Sequence, residues 1–285
     1  MPLYSTAPLD GRIALVTGAG RARGIGRGIA LALADAGADV VVTDVGTRRA
    51  DLTIQGVGLG DDPDELEATA DLVRERGRRS IALPLDVTDA GAAAAVVSRV
   101  RDELGIIDVL ANNAGTGIGA GPFLDLTDTN FTLSWQVNVL GQVHLTRAVL
   151  PGMIELRRGS IVNVTSIMGV AAAGGYGGYV LDKHAIVGLT RLLAHEFGPR
   201  GIRTNAVAPG YILTDLGEAE QTLIAQQFGI DQQDALGAIL SQIPVGRSGQ
   251  PHDVGSAVAW LAGVGADFVN GAILPVSGGQ PAGLA

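Results

Sequence analysis

The sequence predicts an α/β protein in which one doubly wound parallel sheet carries helices on both faces, with residues 1–285 forming a single domain. Three observations carry this. Short β-branched runs alternate with longer Ala- and Leu-rich stretches of helical period. The run DVVVTD at 39–44 is apolar without alternation, as expected of a strand covered on both faces. A glycine-rich turn links the first strand to the first helix.

Residues 12–17 (RIALVT) read as the first strand, and 25–37 as a helix closed by Gly37. The second strand is 39–44. A helix follows over 63–77, with Pro63 at its start. The third strand is 80–85, the next helix 89–104 and the fourth strand 106–111. Residues 127–152 read as one long helical region, 160–165 (SIVNVT) as the fifth strand, 176–197 as a helix and 202–207 as the sixth strand. The stretch 215–242 is polar and helical with glycine interruptions. A helix at 252–262 and a short strand at 272–276 complete the series. The segment 46–62 follows neither period and reads as an inserted loop.

Composition narrows the function classes. Hydrophobic residues make up 47%, enough for a large core, while 42 glycines and few aromatics suit close helix–sheet packing. The chain has no Cys, which removes disulfides, thiolate nucleophiles and Cys-ligated zinc. The four His are scattered and form no HExxH, so no metal is expected. A net charge of −9 argues against nucleic acid. Neither a secretory signal nor a membrane-spanning helix is legible, and a cytoplasmic location is expected.

After the first strand come Gly18, Gly20, Gly24 and Gly26, then a helix. Glycines there permit a tight turn and close backbone approach to a pyrophosphate, and a helix N-terminus adds free N–H groups. Asp44 ends the second strand, 18 residues beyond Gly26. A carboxylate at that place accepts hydrogen bonds from the ribose hydroxyls of NAD and repels the 2′-phosphate of NADP. Arg21, Arg23, Arg48 and Arg49 could instead meet that phosphate. The strand-end acid favours NAD, with the 46–62 insertion near the adenosine end.

Tyr179 and Lys183 stand four apart in a helical stretch and share one face. A phenol titrates near pH ~10, and a neighbouring ammonium is expected to lower that value, giving a proton donor and acceptor for a carbonyl/alcohol pair. Ser166 follows the fifth strand at the carboxyl edge of the sheet, where open α/β folds bind ligands. Its hydroxyl can orient a substrate oxygen. Tyr176 has no Lys four residues later and reads as pocket lining or packing.

These motifs, in this order and spacing, resemble the short-chain dehydrogenase/reductase family over almost the whole chain. They comprise Thr17-Gly18 with Gly24-Ile25-Gly26, Asp86-Val87, Asn112-Asn113-Ala114-Gly115, Asn138, Ser166, Tyr179 with Lys183, and Pro209-Gly210 with Thr214. The 13 positions from Ser166 to Tyr179 match the family's spacing. The resemblance implies a Rossmann fold and a nicotinamide-dependent oxidoreductase that moves a hydride to or from a secondary alcohol or ketone.

Residue by residue, the resemblance makes Asn138, Ser166, Tyr179 and Lys183 the catalytic set. Asn138 would hold a water that links Lys183 to solvent, and Lys183 would also bond the nicotinamide ribose. Gly18, Arg23, Gly24, Ile25, Gly26 and Asp44 would contact the cofactor, as would Asp86 and Val87 at the adenine. Asn113, Ala114, Gly115, Pro209 and Gly210 would line it, and Ile212 and Thr214 would hold the carboxamide. A homotetramer or dimer is also implied. The chain departs from the family in two places. Five residues, Ala19 to Arg23, stand where the family's glycine turn has three. Val180, Leu181 and Asp182 are bulkier than the small residues common between the tyrosine and lysine, and Asp182 is expected to face away.

The expected partner is a small alcohol or ketone, with 215–243 covering it. Alternatives are an NADP-dependent 3-oxoacyl thioester reductase and a nucleotide-binding regulatory protein without chemistry. A sugar-nucleotide epimerase would need a larger C-terminal region than 285 residues allow.

Overall fold

A computed structural model describes residues 7–46, 49–54, 57–59 and 63–280. The first half runs β1 (Ile13–Thr17), α1 (Ile25–Asp35), β2 (Asp39–Asp44), β3 (Arg49–Ile54), β4 (Val57–Leu59), α2 (Pro63–Arg74), β5 (Ser80–Pro84), α3 (Ala90–Glu103) and β6 (Val109–Asn112). The second half runs α4 (Asp128–Trp135), α5 (Gly141–Leu156), β7 (Gly159–Val164), α6 (Gly177–Phe197), β8 (Ile202–Pro209), α7 (Asp215–Phe228), α8 (Gln232–Ser241), α9 (Pro251–Ala262) and β9 (Ile273–Val276).

Seven strands form one parallel sheet in the order β5-β2-β1-β6-β7-β8-β9. The order reverses between β1 and β6, so a crevice opens beyond their carboxyl ends. Alternation along β1 divides the core. Ala14 and Val16 pack with Ile29, Leu33, Val254 and Val258 of α1 and α9. Ile13 and Leu15 pack on the other face with Val96, Val100, Leu145 and Leu193 of α3, α5 and α6. At the amino edge, buried Asp108 accepts hydrogen bonds from Arg12 at 3.0 Å, Arg158 at 2.7 Å and the Ile13 N–H at 3.1 Å. That satisfied carboxylate closes the end of the sheet opposite the crevice.

Three segments differ from the sequence expectation. Residues 127–152 are not one regular helix, because a π turn, Gln136–Leu140, separates α4 from α5. That turn carries Asn138, whose amide is bonded on both sides to the Thr116 backbone, at 2.8 and 3.0 Å. Residues 215–242 form two helices, and Asp231 starts the second by accepting from the Asp234 N–H at 2.8 Å. The 46–62 segment holds an antiparallel hairpin of β3 and β4 rather than a loop. Its register shifts between Arg49 and Thr53, which breaks the two-residue period a sequence reading depends on. No helix among the described residues is long and apolar enough to cross a membrane.

Candidate active site

A cavity of about 840 Å³ fills the crevice. Its nucleotide end is built by the turn after β1. Gly18 has φ +68°, and a Cβ on it would stand 2.8 Å from the Ala114 Cα. A Cβ on Gly26 would stand 2.0 Å from the Gly18 carbonyl oxygen, so only glycine lets α1 start this close to β1. The lengthened turn is pinned on every side. The Ala19 N–H donates to the Thr43 carbonyl at 3.0 Å, and the Gly20 N–H donates to Asp44 Oδ2 at 2.9 Å. Thr69 Oγ1 donates to the Ala19 carbonyl at 2.9 Å, and Arg27 donates to the Gly20 carbonyl at 3.0 Å. The two extra residues are thus absorbed into a braced turn.

These residues fit a dinucleotide. Gly24, the N-cap of α1, and Ile25, its first residue, line the cavity beside Gly18, so the helix starts at the cavity wall with no side chain capping its first N–H groups. Asp44, Asp86, Val87, Asn113, Ala114, Gly115, Pro209, Gly210, Ile212 and Thr214 all line the same cavity. Asn113 Nδ2 donates to the Thr17 and Gly18 carbonyls at 2.8 and 3.0 Å, which ties β6 to the glycine turn. Asp86 is folded into its own turn by the Thr88 N–H and hydroxyl, at 2.9 and 2.7 Å.

Two expected contacts fall elsewhere. Gly26 packs behind the turn and is not on the cavity wall. Arg23 is also off the wall. Its guanidinium pairs with Glu218 at 2.5 Å and Asp215 at 3.8 Å, so it bridges the glycine turn to α7. Attraction to two carboxylates across the crevice explains its direction. Arg21 does line the cavity. Arg48 lies outside the described residues, as does the side chain of Arg49.

The catalytic end brings Ser166, Tyr179 and Lys183 together. Ser166 follows the end of β7 by two residues, where its hydroxyl caps a short turn by accepting from the Met168 N–H at 3.1 Å and hydrogen-bonds the Tyr179 phenol. Lys183 is buried, with Nζ 5.3 Å from the Tyr179 ring centroid, and donates to the Val164 carbonyl at 3.2 Å. The phenol does not titrate below its ordinary value as the sequence suggests. Burial pushes it up to about 12, the nearby Glu220 and Asp182 add to this, and the Ser166 hydrogen bond opposes it. Burial takes Lys183 down to about 8, against the pull of Asp182.

Asp182 does not face away. It is buried, accepting from Ser134 Oγ at 2.5 Å and from Asn138 Nδ2 at 2.9 Å. Burial raises its carboxyl, while Asn138, Ser134 and Lys183 hold it down. Its position three residues after Tyr179 was the available signal, since residues three apart share a helix face. Asn138 sits behind the cavity wall rather than on it.

Sequence reasoning also missed Glu220, on α7, whose carboxylate accepts from the Tyr176 hydroxyl at the cavity edge. Leu216, Ile224, Phe228 and Ile239 of α7 and α8 form the apolar wall beside it. Trp135 and Trp260 are partly exposed and lie away from the cavity. Among the described residues no group of His, Asp and Glu is placed to hold a metal ion.

Comparison with known proteins agrees with this geometry. Residues 18–280 match a family model described as enoyl-(acyl carrier protein) reductase. The chain is 37% identical to a cyclohexanol dehydrogenase of Rhodococcus sp. (strain TK6), covering 95% of this chain and 97% of that one. It is 34% identical to the 3-oxoacyl-[acyl-carrier-protein] reductase FabG of Vibrio cholerae, over 95% and 98%. Among solved structures, carveol dehydrogenase from Mycobacterium avium in complex with NAD superposes with a TM-score of 0.88 at 32% identity, covering 96% and 99%. The chain belongs to the short-chain dehydrogenase/reductase family of NAD(P)-dependent oxidoreductases acting on CH–OH groups.

Proposed function

We propose that the protein oxidises a secondary alcohol, or reduces the matching ketone, with NAD and with Tyr179 as the proton-transfer group. The observation that carries this reading is the phenol of Tyr179 on the cavity wall, hydrogen-bonded to Ser166 and overlying the Lys183 ammonium. When bound, NAD would supply the hydride acceptor. Gly18, Gly24 and the start of α1 would hold the pyrophosphate, and Asp44 the adenosine ribose.

In ketone reduction, Tyr179 is protonated across the physiological range, being raised to about 12, and donates its proton to the carbonyl oxygen. Ser166 orients that oxygen. In alcohol oxidation the phenolate removes the hydroxyl proton. The Lys183 ammonium stabilises that phenolate, and the ammonium persists at neutral pH because Asp182 opposes the effect of burial and its value falls only to about 8. Asn138 fixes the loop at Thr116 and, through Asp182, the turn of α6 that carries Lys183. The chain is further proposed to be a cytoplasmic homo-oligomer, with exposed Leu181 and Leu192 of α6 supporting an association face.

A panel of secondary alcohols with NAD and NADP, followed by absorbance of the reduced cofactor, tests the reading. Turnover with NAD that Tyr179→Phe abolishes is expected, and turnover retained by that variant overturns it. Likeness to the acyl-carrier reductases favours a second reading, reduction of 3-oxoacyl thioesters. Acetoacetyl-CoA with NADPH belongs in the same panel, and strong preference for it selects that reading.

A further inference from the structure

Glu220 is the feature of the cavity that hydride transfer leaves unexplained. It is a half-buried carboxylate on α7, at the end of the cavity where Tyr176 and Tyr179 stand side by side, their ring centroids 6.4 Å apart. One of its oxygens accepts from the Tyr176 hydroxyl. Among the described residues its other oxygen has no hydrogen-bond partner and no Lys or Arg is paired with it. The walls around it are Leu216, Ile224, Phe228 and Ile239.

The cations that line the cavity are elsewhere. Arg21 stands in the glycine turn, and Lys183 lies under the Tyr179 ring. Of the two acids that α7 puts on the wall, Asp215 lies 3.8 Å from Arg23, whereas Glu220 has no cation paired with it. Burial pushes the Glu220 carboxyl up, and the Tyr176 hydrogen bond opposes this. A carboxylate oxygen that opens into the cavity with no protein partner is stabilised by any donor that reaches it. A second anion brought beside it is disfavoured.

We infer that Glu220, held in place by Tyr176, is a specificity-determining residue whose open oxygen accepts a hydrogen bond from a second hydroxyl of the substrate. The preferred substrates are then uncharged diols and hydroxyketones, with that hydroxyl on a carbon close to the reacting one. Substrates with a carboxylate or phosphate there are rejected. The inference rests on the proposed alcohol oxidation at Tyr179, because Tyr179 fixes which end of the cavity holds the reacting carbon.

The test measures kcat/KM with NAD for cyclohexanol, trans-cyclohexane-1,2-diol and 2-hydroxycyclohexanecarboxylate. The intact enzyme is expected to favour the diol over cyclohexanol by roughly 10- to 100-fold, the worth of a hydrogen bond to a charged group. It should use the carboxylate least. Glu220→Leu should bring the diol-to-monoalcohol ratio close to one. Glu220→Gln, which keeps the volume and an acceptor, should retain part of that ratio while raising relative use of the carboxylate about 10-fold. It stands in for Glu220→Leu if the latter fails to fold. Tyr176→Phe should lower the diol ratio as well, because the carboxylate loses its tether.

Equal use of diol and monoalcohol by the intact enzyme overturns the inference and leaves the proposed chemistry standing. So does a ratio that Glu220→Leu and Glu220→Gln both leave unchanged while total activity falls, since that marks a bridge between α6 and α7 rather than a specificity group. Absence of turnover with every alcohol tested, using either NAD or NADP, overturns the proposed chemistry and the inference with it.

Discussion

The Asn138 amide donates to the Asp182 carboxylate over 2.9 Å, placing a buried acid directly behind the lysine that faces Tyr179. Ser134 Oγ completes the support of that carboxylate at 2.5 Å. Asp182 raises the values of both Lys183 and Tyr179. Asp182→Asn should therefore move both titrations to lower pH. The rising limb of the pH–rate profile for alcohol oxidation shifts toward acid, and the range in which Lys183 stays charged narrows. An unmoved profile would show that Asp182 only packs.

Loss of the same carboxylate also has a structural consequence. Asp182→Ala leaves Ser134 and Asn138 without their shared acceptor in a buried site, and should destabilise the protein by about 1–3 kcal/mol. Urea denaturation of the two proteins at neutral pH measures this directly.

Tyr179→Phe removes the only proton that the proposed mechanism transfers. It should lower kcat by at least ~100-fold in both directions, with cofactor affinity little changed. In the intact enzyme alcohol oxidation should rise with pH toward about 8, because burial holds the phenol protonated at neutrality, and rise less steeply above it as Lys183 loses its charge. Ketone reduction should stay level over the same range. Steady-state rates from pH 6 to 10 separate these slopes.

Much of this arrangement was legible beforehand, because it depends on local patterns. The run DVVVTD could only be a doubly covered strand, and β2 occupies Asp39–Asp44. Tyr179 and Lys183 needed only helical spacing to share a face. What stayed hidden depends on contacts across the sequence. Glu220 meets Tyr176 across 44 positions, and Arg23 meets Glu218 across 195, so no window of sequence pairs them. The π turn at Gln136–Leu140 left no mark in apolar spacing, and the bonds its Asn138 makes to the Thr116 backbone span 22 positions. Asp182 does not face away as the sequence suggests, because Ser134 and Asn138, 48 and 44 positions distant, supply donors for it in the interior.

The proposed preference for NAD rests on Asp44. Its Oδ2 already accepts from the Gly20 N–H, and Oδ1 accepts from the Val45 N–H at 2.8 Å, so the carboxylate is fixed on the cavity wall, and in the proposed reading it would repel a 2′-phosphate. Asp44→Ala should reduce discrimination against NADP by about 100-fold, the scale of removing a close like charge. The variant also frees the Gly20 N–H, so KM for NAD should rise at the same time. The ratio of kcat/KM values for NAD and NADP isolates the charge effect. An unchanged ratio would move the selectivity to Arg21.

Asp253 provides a pH-dependent test away from the cavity. It accepts from Arg247 at 2.7 and 2.9 Å and from the Gln250 N–H at 2.8 Å, closing the first turn of α9. The Arg247 hydrogen bond leads in lowering its carboxyl from 3.8 to about 2. A depressed acid contributes stability that is fully present above its unfolded value and disappears as pH falls through its folded one. That window lies between 3.8 and about 2. Since the arginine is solvent-exposed, the contribution of Asp253 is discounted for screening to about 1 kcal/mol. Asp253→Asn should thus be less stable than the parent by that amount at pH 7 and equal to it near pH 2. Denaturant midpoints at several pH values decide it, and a constant gap down to pH 2 would mean that Asp253 acts through the helix cap rather than its charge.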